Sequence, residues 1–408
     1  MINKDLLIYY SGKAIPSLAN ILIIVLGIRW LGESGYGSFN LIYNAALVAA
    51  SLCMGWLQQS SLRFVSGQQN NELAEQYYTL GLWSSSISFL VTFIFCVVYF
   101  NLEITLALAA GLFSALWIIL SVHLTLLQSK FSSLSFAITE SSYNLLIVAL
   151  LATLLYLGMS ASILVFFLIF CSSILVTLIV SMLRGKWKFE IRKIPTSALQ
   201  QALKFGFPLT VWLLIANLFN ITDRYMISYY LGDVQTGVYS SVYDLIYKLA
   251  ALGCFPILLS RHPAIAAAWN NKSFSEVIQL IRKSILLQTL VLGLMLTGGI
   301  FLGEWLIQFF LKIKIESYYL LSIPLILSSV LWQMAMLIQK PLEMSHKSLR
   351  MILNIVVCLL LNCTLNMIFI PRFGIIAASF TTLTSTLLYI FVSLFDARKI
   401  LKKTHELA

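Results

Sequence analysis

The sequence predicts an all-α membrane protein of 12 transmembrane helices, arranged as two parallel-repeat six-helix lobes around a central cavity. Composition, the length of the apolar runs and a motif written twice predict it. Sixty per cent of the 408 residues are hydrophobic and 11% are charged, about half the charged fraction of a soluble domain. The mean hydropathy is +0.90, so lipid is the solvent this chain requires. The motif is LGESGYGSFNLIYN, residues 31–44, answered by LGDVQTGVYSSVYD at residues 231–244. Leu31/Leu231, Gly32/Gly232, Gly37/Gly237 and Tyr43/Tyr243 coincide, while Glu33/Asp233, Phe39/Tyr239 and Asn44/Asp244 keep their chemistry.

Crossing a hydrocarbon core of roughly 30 Å at about 1.5 Å per residue takes about 20 apolar residues. Twelve runs qualify, at 14–32, 38–57, 80–100, 104–127, 138–157, 161–183, 206–231, 237–258, 282–302, 318–339, 349–370 and 375–396. They are continuously apolar, as in LLIVALLATLLYL, which favours helices over the every-second-residue alternation of a barrel. The first run is too long for a removable signal peptide, and no small-residue cleavage site follows it. All six cysteines fall inside or at the ends of these runs, with no C-x-x-C and no histidine at metal spacing, and read as packing residues.

Placing the N-terminus in the cytoplasm puts 21 of the 27 lysines and arginines on inner segments. That is the bias the positive-inside rule selects, so both termini are expected to be cytoplasmic. The net charge of +11 is then a topology signal and gives no case for nucleic-acid binding. The stretch RGKWKFEIRKIPTSALQQALKFGFP carries six basic residues and divides the chain. The predicted domains are an N-lobe (1–183), a basic cytoplasmic linker (184–205), a C-lobe (206–396) and a cytoplasmic tail (397–408). Six spans separate the two copies of the motif, so both face one side and the repeat is parallel. YLGMSAS and RFGIIAAS, joining the fifth span of each half to the sixth, form a second matched pair. At the first hairpins, Gly32, Gly35, Gly37, Gly232 and Gly237 are expected to supply positive φ or close backbone approach.

A proline near the start of the first span, the LG-x-x-x-x-G-x-Y/F closure of its hairpin, and a second half entered by Pro208 and Asn217 with Asp-Arg before the same hairpin form one pattern. With a basic linker between two sixes, it resembles the polysaccharide-exporter branch of the MOP (multidrug, oligosaccharidyl-lipid, polysaccharide) superfamily, in particular Wzx-type O-antigen flippases. The resemblance runs over essentially the whole chain. It implies a non-enzymatic flippase of the bacterial inner membrane that moves undecaprenyl-diphosphate-linked oligosaccharide repeat units from inner to outer leaflet by alternating access. It further implies no cofactor beyond a coupling ion, H+ or Na+. The expected partners are the lipid-linked oligosaccharide, membrane lipids, and a polysaccharide polymerase with its chain-length regulator.

Charged groups inside a span cost about 2.5 to 3.5 kcal/mol each and usually face a wet cavity or a partner. Asp223 and Arg224 lie in the seventh span, and Asp244 and Lys248 in the eighth, spaced i, i+4 on one helix face. Two readings stand for Asp244 and Lys248. They form an intrahelical ion pair, or Lys248 and Arg224 attract the diphosphate while Asp223 and Asp244 carry the coupling ion. Arg29 and Arg63 are candidates for the two mouths of the cavity, and Asn40, Asn44 and Asn220 for hydrogen bonds to sugar hydroxyls. Helix packing explains the amides equally well. No G-x-x-x-x-G-K-[ST] loop supplies ATP chemistry, and no H-E-x-x-H or G-x-S-x-G is present. The rival functions are a MATE-like drug exporter and a membrane-embedded polysaccharide polymerase or ligase.

Overall fold

The computed structural model describes residues 4–65, 72–130, 132–185, 192–315, 317–345 and 347–406. Among them every regular element is helical. The order is α1 (Lys4–Phe64), α2 (Glu72–Val98), α3 (Ile104–Ser129), α4 (Ser133–Tyr156), α5 (Ile163–Gly185), α6 (Thr196–Asn270), α7 (Phe274–Phe301), α8 (Gly303–Leu311), α9 (Tyr318–Ile338), α10 (Lys340–Met344) and α11 (Ser348–Glu406). Among the described residues, nine helical stretches are long and apolar enough to cross a membrane. Large apolar side chains such as Trp83, Leu90, Ile94, Leu294 and Phe391 stand exposed on them, as lipid-facing groups must. The chain is a multi-pass membrane protein.

The three longest helices are each broken by one glycine. Gly32 breaks α1 at φ 71°, ψ 177°, Gly232 breaks α6 at φ 81°, ψ 178°, and Gly374 breaks α11 at φ 65°, ψ −151°. This corner of backbone space is essentially closed to residues with a Cβ, so each break is written by its glycine. The positive-φ glycines among the described residues are Gly32, Gly158, Gly232 and Gly374. They form two pairs, one from each matched motif: Gly32 with Gly232, and Gly158 of YLGMSAS with Gly374 of RFGIIAAS. Sequence similarity and backbone geometry therefore repeat together. Gly35, Gly37 and Gly237 are helical, and a Cβ on Gly35 would meet only the Leu31 side chain of its own helix. Of the hairpin glycines, only the one following the motif leucine makes the turn.

The helices extend past the apolar runs. α2 starts at Glu72, well before the run at 80, because Glu72 and Glu75 in its first turn suit a helix N-terminus. The connection after the ninth apolar run is also not irregular throughout, since it contains α8. In the basic stretch between α5 and α6, residues 186–191 lie outside the described residues. At its far end Arg192 donates through Nε to Glu75 Oε2 at 2.8 Å and through its backbone N–H to Thr79 Oγ1 at 3.1 Å.

The chain divides into two compact units, one ending at Leu214 and the other starting at Ile215, inside the first leg of α6. In the first unit α1 packs on α2, α3 and α4, and α3 on α2 and α5. Its core is aromatic: the Phe39 ring meets Phe166 edge-on at 4.4 Å and Phe167 at 5.2 Å, and Tyr43 stacks on Phe113 at 5.1 Å. A buried polar chain crosses it, from the Tyr78 hydroxyl to His123 Nδ1, then from His123 Nε2 to Ser181 Oγ at 2.7 Å and on to Thr139 Oγ1 at 2.8 Å. In the second unit α9 packs on α7 and α11.

Candidate functional site

The second leg of α6 carries Tyr239, Tyr243 and Tyr247, spaced four apart and therefore on one helix face. Tyr243 and Tyr247 stack at 4.0 Å, and Tyr239 stands 5.8 Å from Tyr243. The first leg brings two charges, Asp223 and Arg224, with only 1% and 3% of their surface exposed. An ion so buried needs partners, because desolvation costs several kcal/mol per charge. The partners come from across the glycine break and from α11.

Asp223 is satisfied on both oxygens. Its Oδ1 accepts the backbone N–H of Arg224 at 2.9 Å, and its Oδ2 accepts the Tyr239 hydroxyl and, at 3.4 Å, the Thr382 hydroxyl of α11. Arg224 Nη2 donates to Asp244 Oδ1 at 2.6 Å, and its guanidinium lies 4.6 Å over the Tyr243 ring. A cation over an aromatic face gains about 0.5 to 2 kcal/mol, more as water is excluded. The Tyr243 hydroxyl donates to Asn220 Oδ1 at 3.2 Å, and the Tyr247 hydroxyl to Ser328 of α9 at 3.3 Å. Near Thr382, the Thr381 hydroxyl donates to Asn366 Oδ1, and Asn366 Nδ2 to Asn362 Oδ1 at 2.9 Å. Three transmembrane stretches of the second unit thus meet at one hydrogen-bonded, charged centre.

The structure places the predicted residues unequally. It joins Asp223, Arg224, Asp244 and Asn220 in this centre. The ion pair of Asp244 runs to Arg224 on the other leg. Lys248 is exposed one turn further along and has no carboxylate within salt-bridge reach among the described residues. With formal charges of −1 on each aspartate and +1 on Arg224, the buried trio is anionic and Lys248 restores neutrality. Asp244 is the more accessible acid, its side chain 19% exposed where Asp223 is 1% exposed.

In the first unit Asn44 Nδ2 bonds within its own helix, to the carbonyl of Asn40 at 2.8 Å and to its side-chain oxygen at 2.7 Å. Arg29 is exposed just before the Gly32 break. Arg63, also exposed, ends α1 with its guanidinium 4.3 Å over the Phe205 ring. The centre also contains residues that the sequence reading did not single out as site residues. Tyr239, Tyr243 and Tyr247 were signalled by their four-residue spacing beside a charged residue. Thr382 had no local signal, since it reaches Asp223 from 159 positions away.

The sequence profile of the family described as "polysaccharide biosynthesis protein" matches residues 2–269. No curated protein matches the chain. Among solved structures, the inward-facing conformation of a multidrug resistance MATE family transporter of the MOP superfamily superposes with a TM-score of 0.73 at 13% identity, covering 98% of this chain and 99% of that one. An outward-facing conformation of a transporter so described gives 0.67 at 12% identity, covering 99% of each chain. The lipid II flippase MurJ, in an inward closed conformation, gives 0.72 at 15% identity, covering 98% of this chain and 90% of its own. At such identities the likeness speaks for the fold, while the profile speaks for the family. The chain belongs to the polysaccharide biosynthesis protein family and carries the fold of the MOP-superfamily transporters.

Proposed function

We propose that this chain is a flippase that moves an undecaprenyl-diphosphate-linked oligosaccharide, the repeat unit of an O-antigen or related surface polysaccharide, from the inner to the outer leaflet. The reading rests on the family match together with one structural observation. A largely buried Asp223–Arg224–Asp244 centre is built into the second hairpin repeat, with Lys248, an exposed residue, one turn away. Lys248 is the cation available to a diphosphate, and Arg224 acts through Asp244 to hold that helix face. Asp244, the more accessible acid, is the proposed carrier of the coupling ion, H+ or Na+, with Asp223 behind it. We further propose sugar contacts for Asn220, Asn40 and Asn44, and roles at the two mouths for Arg29 and Arg63.

Transport proceeds by alternating access, consistent with MOP transporters of this fold having both inward-facing and outward-facing structures. We place both termini in the cytoplasm, as the charge bias favours, and the spans in a bacterial inner membrane, as the family resemblance implies, with twelve crossings when each leg of a broken helix is counted as one. The boundaries we adopt are an N-lobe to residue 183, a linker over 184–205, a C-lobe over 206–396 and a tail from 397. A polymerase and a chain-length regulator would take the flipped unit. The chain itself is a transporter and catalyses no bond exchange.

The test is deletion of the gene, followed by extraction of lipid-linked sugars and a leaflet-accessibility assay with a membrane-impermeant reagent. Single repeat units accumulating unreactive on the inner face support a flippase. Units reaching the outer face and remaining unpolymerised would indicate a polymerase, and an unchanged sugar pool with raised sensitivity to cationic drugs would indicate a multidrug exporter.

A further inference from the structure

The first unit contains a cavity of about 950 Å³ between α4 and α5, closed at one end by the termini of α2 and α3. Every residue that lines it belongs to the first unit, and the lining changes character along its length. At one end are Lys130 and Arg184, with the hydroxyls of Ser132 and Ser135. Glu75 also reaches this end, but its carboxylate accepts Arg192 Nε at 2.8 Å, so the mouth keeps a positive balance. Partial burial lowers the pKa of Lys130 from its ordinary value, with the Glu75 charge opposing, and an anion in the mouth would favour the ammonium.

Further in, beyond the hydroxyls of Thr139, Ser142 and Ser181, the wall becomes mainly apolar, with Leu145, Leu146 and Ala149 from α4 and Val176 and Val180 from α5. Ser135 and Ala149 stand roughly 21 Å apart along α4 at about 1.5 Å per residue. That length reaches from a headgroup layer past the middle of a hydrocarbon core roughly 30 Å thick. Leu145, Val176 and Val180 are 49%, 47% and 43% exposed, so the groove is open sideways, where lipid lies. Thr177, in the wall and only 3% exposed, has a hydroxyl without a hydrogen-bond partner among the described residues.

From this polarity gradient we infer that the α4–α5 cavity is a binding site for one anionic glycerophospholipid. Its phosphate sits between Lys130 and Arg184, its glycerol faces Ser132 and Ser135, and one acyl chain lies along Leu145, Ala149 and Val176. Neither basic residue alone gives much selectivity, but two near one phosphate add their attractions. The site does not depend on the transport reading and would stand if the substrate were different. A lipid held there ties α4 to α5 along the groove they share.

The experiment uses the full chain, purified in detergent and offered equal amounts of phosphatidylglycerol and phosphatidylcholine, with bound lipid counted by native mass spectrometry. Wild type retains phosphatidylglycerol with a preference of about tenfold. The preference falls toward parity in Arg184→Gln and further in Lys130→Gln/Arg184→Gln. Arg184 is exposed at a helix end, so the single variant tests the site without endangering the fold. Ala149→Trp, which fills the apolar end and leaves the charges in place, lowers retention of both lipids. An unchanged preference in the double variant overturns the site, as does an equal loss in Arg261→Gln/Lys272→Gln. Displacement of phosphatidylglycerol by millimolar inorganic phosphate would reduce it to a phosphate site without a tail groove, and preferential retention of a polyprenyl diphosphate would assign it to the carrier lipid instead.

Discussion

The two copies of the LG-x-x-x-x-G hairpin share a backbone and differ in chemistry. Gly32 and Gly232 break their helices at nearly the same φ and ψ. After the break, Phe39 packs into a cluster of phenylalanines, whereas Tyr239 at the matching position donates its hydroxyl to Asp223. Asn44 bonds back to Asn40 on its own helix, whereas Asp244 reaches across the break to Arg224. Before the break, in the same register, the first copy has Ile23 and Ile24, both buried, where the second has Asp223 and Arg224. The glycines that set the turn are common to both halves, so they belong to the fold. The charges occur in one half only, so they are an addition that the fold does not require, and a lipid-embedded helix does not carry buried ions without use for them.

This contrast is open to attack by substitution. The largest effect is expected for Arg224→Ala, which strands Asp244 and removes the cation over Tyr243. Removing one partner of a buried pair costs about 3 to 5 kcal/mol. The melting temperature of the purified protein should fall steeply, and the double variant Arg224→Leu/Asp244→Leu should recover much of the loss without recovering transport. Full stability in the single variant would mean that the pair carries no weight. Next come Gly32→Ala and Gly232→Ala, each forcing a Cβ into a region that costs about 1 to 3 kcal/mol. The two should lose similar stability in denaturant or thermal titrations, while Gly37→Ala and Gly237→Ala, on helical backbone, lose almost none. Unequal losses at Gly32 and Gly232 would break the claim of a shared turn. Tyr239→Phe, which gives the second copy the side chain of the first, takes one donor from a buried carboxylate at about 1 to 3 kcal/mol. Smallest is Asn44→Ala, about 1 kcal/mol for a bond within one helix, with transport expected to fall only modestly as one of the amides proposed for sugar contact is lost.

Composition and run length sufficed for the fold class because lipid imposes one requirement, about 20 apolar residues per crossing, that hydropathy measures directly. They did not reveal where helices run on into water, as α2 does from Glu72, or that α8 lies in a connection, since those segments owe nothing to the bilayer. The positive-φ glycines were half legible. The repeat marked Gly32 and Gly232 with Gly35, Gly37 and Gly237, and only the geometry separated turn from helix. In the candidate site, a charge in an apolar run drew attention to Asp223, Arg224, Asp244 and Lys248. Their pairing was not readable, because spacing along one helix suggests Asp244 with Lys248, while the bond to Arg224 depends on the break at Gly232 laying two legs side by side. Thr382 and Asn366 come from α11 and carry no mark that distinguishes them from other small polar residues in apolar helices.

The most direct measurement reconstitutes the purified chain into vesicles containing a polyprenyl-diphosphate oligosaccharide and follows how fast the inner-leaflet pool becomes accessible to an impermeant reagent added outside. We expect transfer well above the protein-free rate for the wild type and for Asn44→Ala. Lys248→Gln should lower it at least about tenfold, a loss of roughly 1.4 kcal/mol of transition-state interaction, while its melting temperature stays within a few degrees of the parent. Transfer by the wild-type chain no faster than in empty vesicles would contradict the account.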